Sequence, residues 1–171
     1  HRIVPVDNCP IHPAWVKDII DIFYAYMKQC RVRAYDEATG KGVLRHIVVR
    51  DVDGGFLTTA VTATPELPSW EKLAGMIGEK FKVFSLWHNV NAGDGNGVFG
   101  NRWKLLEGKG KYSAHECGIR FEVGPNTFMQ VNRSVCRKLY ERTVRFATES
   151  GAKVAVDAYS GSGLLTAMLA K

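Results

Sequence analysis

The chain has 171 residues, of which 46% are hydrophobic and 23% are charged, which is enough for one domain or for a small domain and part of another. No apolar run approaches the roughly 20 residues of a membrane-spanning helix, and we expect no secretory leader. The formal net charge of +6 suits a polyanionic partner such as RNA but does not indicate a fold.

The cysteines are scattered and form no Cys-x-x-Cys pair. Without a secretory context, this spacing indicates reduced thiols in a cytoplasmic protein. The first residue is His1 and not methionine, so we expect a fragment that is cut at both ends. The four cysteines are Cys9, Cys30, Cys117 and Cys136.

The first third of the chain predicts an extended start, a helix and a hairpin. Pro13 suits the first turn of a helix, and apolar residues at helical spacing follow it over 13–30. Two stretches rich in β-branched residues, 43–52 and 56–63, flank Asp53-Gly54-Gly55, which is a strong hairpin signal.

The middle of the chain predicts one more helix and several short strands. Ser69 can cap a helix over about 70–80, and a strand over 83–90 follows before the glycine-rich loop 93–97. Glycine turns then separate three stretches that we predict as short antiparallel strands: 102–106, 112–117 and 119–123.

The end of the chain changes to a strand–turn–helix pattern. A helix capped by Asn132 or Ser134 should run to about Ser150, with Gly151 as its stop. A buried strand around Asp157, a glycine turn over 159–163 and a short helix over 164–169 should follow. This order is how an α/β sheet opens a nucleotide-type site, because glycines and a helix N-terminus bring backbone N–H groups to the ligand.

These elements predict an α+β fold. Antiparallel hairpins with packed helices form a central domain over 1–124, and the first β-α unit of a Rossmann-like domain occupies 125–171. The glycine turn alone is a moderate signal, because the third glycine of a dinucleotide fingerprint is replaced by Thr166. A methyltransferase loop needs only the shorter glycine pair, and a turn without any ligand is the alternative.

Two motifs together resemble the RNA uracil-5-methyltransferase family. Phe128-x-Gln130-x-Asn132 is similar to the family's Phe-x-Gln-x-Asn, and Asp157-Ala-Tyr-Ser-Gly-Ser-Gly163 is similar to its donor loop Asp-x-Tyr-Cys-Gly-x-Gly, with Ser160 in place of cysteine. Stretches 4–10, 42–50 and 86–91 look like the central domain of its 23S rRNA branch. The resemblance implies methyl transfer from S-adenosylmethionine to C5 of a uridine in 23S rRNA, with tRNA as the other candidate.

The resemblance also implies the site residues. Gln130 and Tyr159 would contact the methyl donor, and Asp157, Gly161 and Gly163 would shape its pocket. Phe128 and Asn132 would lie near a flipped uracil. A core aromatic and a plain helix cap are the respective alternatives.

Basic residues give the second set of candidates. By the resemblance, Arg45, His46 and Arg50 would contact RNA, and His46 could equally be a satisfied strand histidine. The arginines of the last long helix suit phosphate contacts but also a solvated helix face.

Cys9 is a candidate metal ligand by the same resemblance. In the 23S rRNA branch a cysteine at this Cys-Pro position completes a four-iron four-sulfur cluster, which normally needs four thiolates. The other three would lie upstream, so we expect a cluster only in a full-length parent protein, with an ordinary thiol as the alternative.

The family's catalytic cysteine and general base have no matching motif in this chain. We therefore expect the fragment to be inactive, and neither Cys117 nor Cys136 lies in a nucleophile motif. We also expect an exposed apolar surface on the last helix, suited to dimerisation or fraying. Its residues are Leu164, Leu165, Met168 and Leu169.

Two other functions compete with this interpretation. The first is a stand-alone RNA-binding module without catalysis. The second is a donor-dependent methyltransferase that acts on a small molecule or a protein, against which the combination of both motifs with the central-domain stretches argues.

Overall fold

A computed structural model of the protein describes residues 9–171, so the extended start predicted around 3–6 lies outside the described residues. The chain divides into two compact units. Unit 1 holds the described residues up to Arg50 and Gly55–Lys109, and unit 2 holds Asp51–Gly54 and Gly110–Lys171. Each unit has its own hydrophobic cluster. Within the described residues, no helix is long and apolar enough to cross a membrane.

The first helix of unit 1 confirms the periodicity of its sequence. Helix α1 spans Trp15–Cys30 and buries Ile19, Phe23 and Tyr26, which follow one another at helical spacing. The Tyr26 hydroxyl donates a hydrogen bond to the carbonyl of Pro68, so its polar end is satisfied inside the core. The helix ends at Cys30, and the C-cap residue Arg31 adopts a left-handed conformation.

A four-stranded sheet in the order β1-β2-β3-β4 carries this core. The predicted hairpin turn is present, and Asp53 and Gly54 both have positive φ, as a tight two-residue turn requires. β4 pairs with β3 in antiparallel orientation, as predicted. The strands are β1 Leu44–Val52, β2 Gly55–Thr62, β3 Phe84–Val90 and β4 Arg102–Glu107.

One pairing differs from the predicted run of antiparallel hairpins. β2 and β3 are parallel, with Phe56 opposite Phe84 and Thr62 opposite Val90. The connection between them includes helix α2, Trp70–Lys80, which is where the sequence predicts it. Parallel neighbours need such a crossover, so the helix between the two strands was the signal for this geometry.

The predicted cap of α2 is only partly correct. Ser69 occupies the N-cap position, but its side chain makes no capping hydrogen bond and its φ is 51°. An N-cap side chain reaches the N–H groups of the first turn from an extended backbone, and the left-handed conformation of Ser69 does not provide one.

Unit 2 contains a hairpin and two helices. Its small core joins Val52, Ala114 and Val123. The N-cap prediction for the long helix is confirmed, since the Asn132 side chain accepts a hydrogen bond from the Val135 N–H at 3.1 Å. Gly151 follows the helix with a positive φ of 67°. The elements are β5 Tyr112–Glu116, β6 Ile119–Val123, α3 Arg133–Glu149 and α4 Leu164–Leu169.

The buried strand predicted around Asp157 is wrong. Residues 154–156 form no strand, and Val154 and Val156 are 80% and 85% exposed. A strand needs a hydrogen-bonded neighbour, and none of the described strands pairs with this stretch. The apolar composition therefore predicted a strand for which the described residues supply no neighbouring strand.

The expected exposed surface on the last helix is also wrong. Leu164 is only 6% exposed, and Leu165, Met168 and Leu169 are half-buried. The reason is that α4 packs against α3 and β6. The predicted dimer through this edge therefore loses the surface on which it was based.

The mixture of helices with a mostly antiparallel set of strands confirms the α+β class. The compact units divide near residue 110, whereas we predict a domain boundary at 124. The hairpin β5–β6 accounts for this difference, because it packs in unit 2. The assignment of 1–124 and 125–171 to two functional domains stays a prediction.

Candidate functional site

A pocket of about 140 Å³ lies in unit 2. It brings together two stretches that are about 30 residues apart in sequence, the segment before α3 and the glycine turn before α4. Four predicted site residues line it, namely Phe128, Gln130, Tyr159 and Gly161. The other lining residues are Glu116, Phe121, Met129, Arg133, Cys136, Tyr140, Ser160, Ser162 and Leu164.

The first wall is the segment that joins β6 to α3. At its start Thr127 closes a turn, since its Oγ1 accepts a hydrogen bond from the Gly124 N–H at 2.9 Å. At its end Asn132 caps α3 through its Oδ1. Between these anchors Phe128 is 70% exposed, so the alternative of a core aromatic is wrong. This side chain is therefore available to a ligand.

The second wall is the glycine turn. The Gly163 N–H donates to the carbonyl of Ser160 at 2.7 Å, and Gly163 has a φ of 76°, which favours glycine. Asp157 accepts a hydrogen bond from the Thr166 hydroxyl at 2.7 Å. These bonds tie the residues before the turn to α4 and leave Tyr159 98% exposed at the pocket.

Of the predicted site residues in the two motifs, three do not line this pocket. Asp157 and Gly163 shape the glycine turn, and Asn132 caps the helix. For Asn132 the structure therefore shows the plain helix cap, and a contact with a base stays a prediction. Since its Oδ1 also accepts from the Ser134 hydroxyl at 2.9 Å, such a contact would come from its Nδ2.

An ion-pair cluster forms one side of the pocket. Glu116 is 5% exposed and accepts from Arg133 Nε at 2.9 Å and from Arg137 Nη2 at 2.8 Å. Burial alone would raise the pKa of Glu116, but the hydrogen bonds and charges of Arg137 and Arg133 outweigh it and lower the pKa. The carboxylate is therefore charged at neutral pH.

Sequence reasoning missed the helical wall of the pocket. Arg133, Cys136 and Tyr140 follow one another at spacings of three and four residues on α3, so they share one face of that helix. Burial is the first cause that raises the pKa of Tyr140, followed by a hydrogen bond with Cys136. Helical periodicity beside the Phe-x-Gln-x-Asn stretch was the signal that could have found this face.

The basic candidates of unit 1 have intramolecular partners. Arg45 donates through Nη1 to the carbonyls of Asn91 and Gly93, at 3.0 Å and 2.5 Å. Its guanidinium also lies 4.6 Å from the centre of the Tyr35 ring. These contacts hold Arg45 in place within the unit, and its predicted RNA contact stays untested.

His46 and Arg50 lie on the same strand as Arg45. Burial, then the charge of Arg45, lowers the pKa of His46, against a smaller opposing effect of Glu37. Burial also lowers the pKa of Arg50, which is partly buried. His46 is thus neutral at pH 7 and would meet RNA as a hydrogen-bonding group and not as a cation.

Cys9 is partly buried and is a free thiol. Its carbonyl accepts a hydrogen bond from the His12 N–H at 3.1 Å. Across residues 9–171, no group of three or more His, Cys, Asp or Glu side chains is arranged to hold a metal ion. The described residues therefore do not fit a cluster on their own, and the role of Cys9 as a ligand stays a prediction.

Comparison with known proteins identifies relatives over the whole chain. It is 30% identical to an uncharacterized RNA methyltransferase of Caldanaerobacter subterraneus subsp. tengcongensis and 32% identical to one of Clostridium tetani, each over 174 residues. The chain is thus similar, over its whole length, to proteins named RNA methyltransferases. The matches cover 100% of this chain and 38% of each relative, so the chain spans less than half of their length. No family model matches the chain.

A solved structure shows the same fold. The Pyrococcus abyssi tRNA (uracil-54, C5)-methyltransferase, in complex with S-adenosyl-L-homocysteine, superposes with a TM-score of 0.74 at 20% sequence identity. The match covers 99% of this chain and 41% of that protein. At this identity the likeness concerns the fold, which agrees with the predicted α+β class.

Proposed function

We propose that this chain supplies part of the methyl-donor site and part of the RNA-binding surface of an S-adenosylmethionine-dependent RNA uracil-5-methyltransferase. The observation that carries the proposal is the pocket of unit 2, where the two motifs meet. Phe128 and Gln130 come from one motif, and Tyr159 and Gly161 come from the other. A chance resemblance of two separate stretches would not require them to share a pocket.

The chemistry of the lining suits a nucleoside with a polar tail. The Gln130 amide can both donate and accept hydrogen bonds, and the Tyr159 ring offers an exposed aromatic face. The pocket of about 140 Å³ is smaller than the roughly 300 Å³ at which complete small-molecule sites begin. The described residues would therefore hold one portion of the donor.

The exposed Phe128 ring is suited to the substrate side. A base must leave its stack before a methyl group can reach it, and an exposed aromatic ring stabilises an unstacked base by about 1–3 kcal/mol. We propose that Phe128, with Asn132 Nδ2, receives the uracil. In unit 1, Arg45, His46 and Arg50 would contact the RNA strand.

The names of the relatives do not specify an RNA substrate. We propose 23S rRNA, with tRNA as the alternative. The solved structure of similar fold is named a tRNA enzyme. The stretches 42–50 and 86–91 favour the rRNA branch by resemblance alone. Methyl transfer to both RNAs, assayed side by side under the same salt conditions, distinguishes them.

The experiment that tests the function uses the longer protein that contains this sequence. It is incubated with S-adenosylmethionine and unmodified 23S rRNA, and the nucleosides are identified by mass spectrometry. We expect 5-methyluridine, and a loss of at least about tenfold in its formation for Gln130→Ala, because an amide that orients the donor is removed. Gln29→Ala, an exposed glutamine on α1, is the matched control.

Two results of this experiment would contradict the proposed function. Salt-dependent RNA binding without any transferred methyl group would favour the stand-alone binding module. Methylation of a protein or small molecule, but not of RNA, would favour the other competing function.

We also propose that the 171-residue chain alone transfers no methyl group. Of the two cysteines in unit 2, Cys117 has a pKa raised first by burial and then by the charge of Glu116, which opposes a reactive thiolate. Cys136 is buried and lies outside any motif of a nucleophile. Detectable 5-methyluridine formed by the pure chain would contradict this prediction.

A further inference from the structure

One arginine of unit 2 joins three separate parts of the chain. Arg133 is the first residue of α3, and each of its three nitrogen groups donates a hydrogen bond. Nε donates to Glu116 at 2.9 Å, Nη1 donates to Asp53 at 2.9 Å, and Nη2 donates to the carbonyl of His115 at 3.1 Å. A planar guanidinium used in this way fixes direction as well as distance.

The acceptors of Arg133 are themselves held in place. Asp53, at the tip of the first hairpin, accepts the His115 N–H through its second oxygen at 2.8 Å. Glu116 accepts a second arginine, Arg137, one turn further along α3. Opposite charges and hydrogen bonds thus connect the hairpin tip, strand β5 and the N-terminus of α3.

The cluster lies at the end of the segment that carries two of the pocket residues. Segment 128–131 has no regular secondary structure, and it carries Phe128 and Gln130 on the pocket wall. The Thr127 turn anchors one end, and the first turn of α3 anchors the other. A shift at the start of α3 would move the Gln130 side chain directly, because only two residues separate it from Arg133.

We propose that Arg133, held by Asp53 and Glu116, is a positioning residue for the donor pocket, and that it sets the conformation of segment 128–132. The identity of the ligand in this inference rests on the proposed function. The effect on the conformation of segment 128–132 does not. Arg133 and Glu116 also line the pocket, so the same cluster shapes its wall.

The test compares Arg133→Met and Arg133→Lys with a control on the same helix. The control is Arg145→Met, which removes a surface pair with Glu149 at 2.6 Å. Amide hydrogen exchange over 127–136, where the Thr127, Val135 and Cys136 N–H groups are hydrogen-bonded, is measured for each variant of the longer protein, together with thermal midpoints and titration with S-adenosyl-L-homocysteine. For Arg133→Met we expect exchange to accelerate and the dissociation constant to rise about three- to tenfold, which is the size of effect that positioning contacts have.

Arg133→Lys should recover part of the loss, because it keeps the charge but not the three-directional geometry. Arg145→Met should leave exchange over 127–136 and the affinity unchanged. Unchanged exchange and affinity in Arg133→Met would overturn the inference. So would changes that only follow the thermal midpoint across all variants, since a purely structural role predicts that pattern.

A second variant covers the case in which Arg133→Met does not fold. Asp53→Asn weakens one of the three bonds and keeps a residue that tolerates positive φ at the turn. Faster exchange over 127–136, far in sequence from the substitution, is expected, and unchanged exchange would overturn the inference. Absence of any binding by the unsubstituted longer protein would instead refute the donor site, while the exchange result would still decide the positioning role.

Discussion

The two long helices have similar sequence patterns but different surroundings. Helix α1 buries its apolar stripe, including Ile19 and Phe23, in the core of unit 1. Helix α3 carries an equally regular stripe, yet Val135 and Leu139 on it are more than half exposed. Periodicity therefore identifies a helix and its apolar face, but it does not say which partner covers that face within the described residues.

The two units also differ in what holds them together. Unit 1 has a continuous apolar cluster drawn from two helices and a sheet. Unit 2 has a small cluster around Val52, Ala114 and Val123 and adds the ion pairs of Glu116. Hydrophobic burial should therefore dominate the stability of the first unit, and charged contacts should contribute more to the second.

A pair of alanine substitutions tests this comparison most directly. Phe23→Ala should destabilise the chain by about 3–5 kcal/mol, because it leaves a cavity in the core of unit 1. Leu139→Ala should change the free energy of unfolding by less than about 0.5 kcal/mol, because Leu139 is exposed. Urea unfolding followed by circular dichroism measures both.

A large decrease in the free energy of unfolding of Leu139→Ala would contradict the comparison. It would mean that the stripe of α3 is covered in solution, for example by a second copy of the chain. Sedimentation of the two variants at several concentrations separates that case from a monomer.

The second prediction concerns the charged contacts of unit 2. Glu116→Gln should destabilise the chain by about 1–2 kcal/mol at pH 7, since it leaves Arg133 and Arg137 without their shared carboxylate. The pKa of Glu116 is lowered in the folded state, so its stabilisation is present above the unfolded pKa of about 4.3 and is lost as the pH falls through the folded value.

The difference in unfolding free energy between the unsubstituted chain and Glu116→Gln should therefore shrink below about pH 4. Unfolding free energies at pH 7, 5 and 3 measure it. Glu122→Gln is the control on the same hairpin, because Glu122 is exposed and pairs with Lys111 at the surface. An equal loss in both variants would show that the buried position of Glu116 has no special effect.

Local chemistry explains what the sequence predicts well. The turn at Asp53-Gly54, the cap at Asn132 and the stop at Gly151 depend on residues within a few positions of each other, and all three are confirmed. The parallel pairing of β2 with β3 and the exposure of Val156 depend on which strands become neighbours. Sequence pattern gives the faces of such elements but not their partners.

The same division applies to the candidate site. The motifs supplied Phe128, Gln130, Tyr159 and Gly161, which the fold brings to one pocket. They did not supply Glu116, because its place there depends on a long-range contact with α3. Its neighbours in sequence carry no signal of that contact.

The smallest effect concerns Asn132, for which a structural and a functional role can be separated. Asn132→Ala should cost about 1 kcal/mol, because the Val135 N–H loses its acceptor, whereas Asn132→Ser keeps a capping oxygen and should cost little. If the residue is only a cap, methyl transfer by the longer protein should remain normal in the serine variant. If Nδ2 also contacts the uracil, as we propose, both variants should lose activity while only alanine loses stability. Normal activity in the serine variant would leave Phe128 as the substrate contact in this motif and remove Asn132 from the proposal.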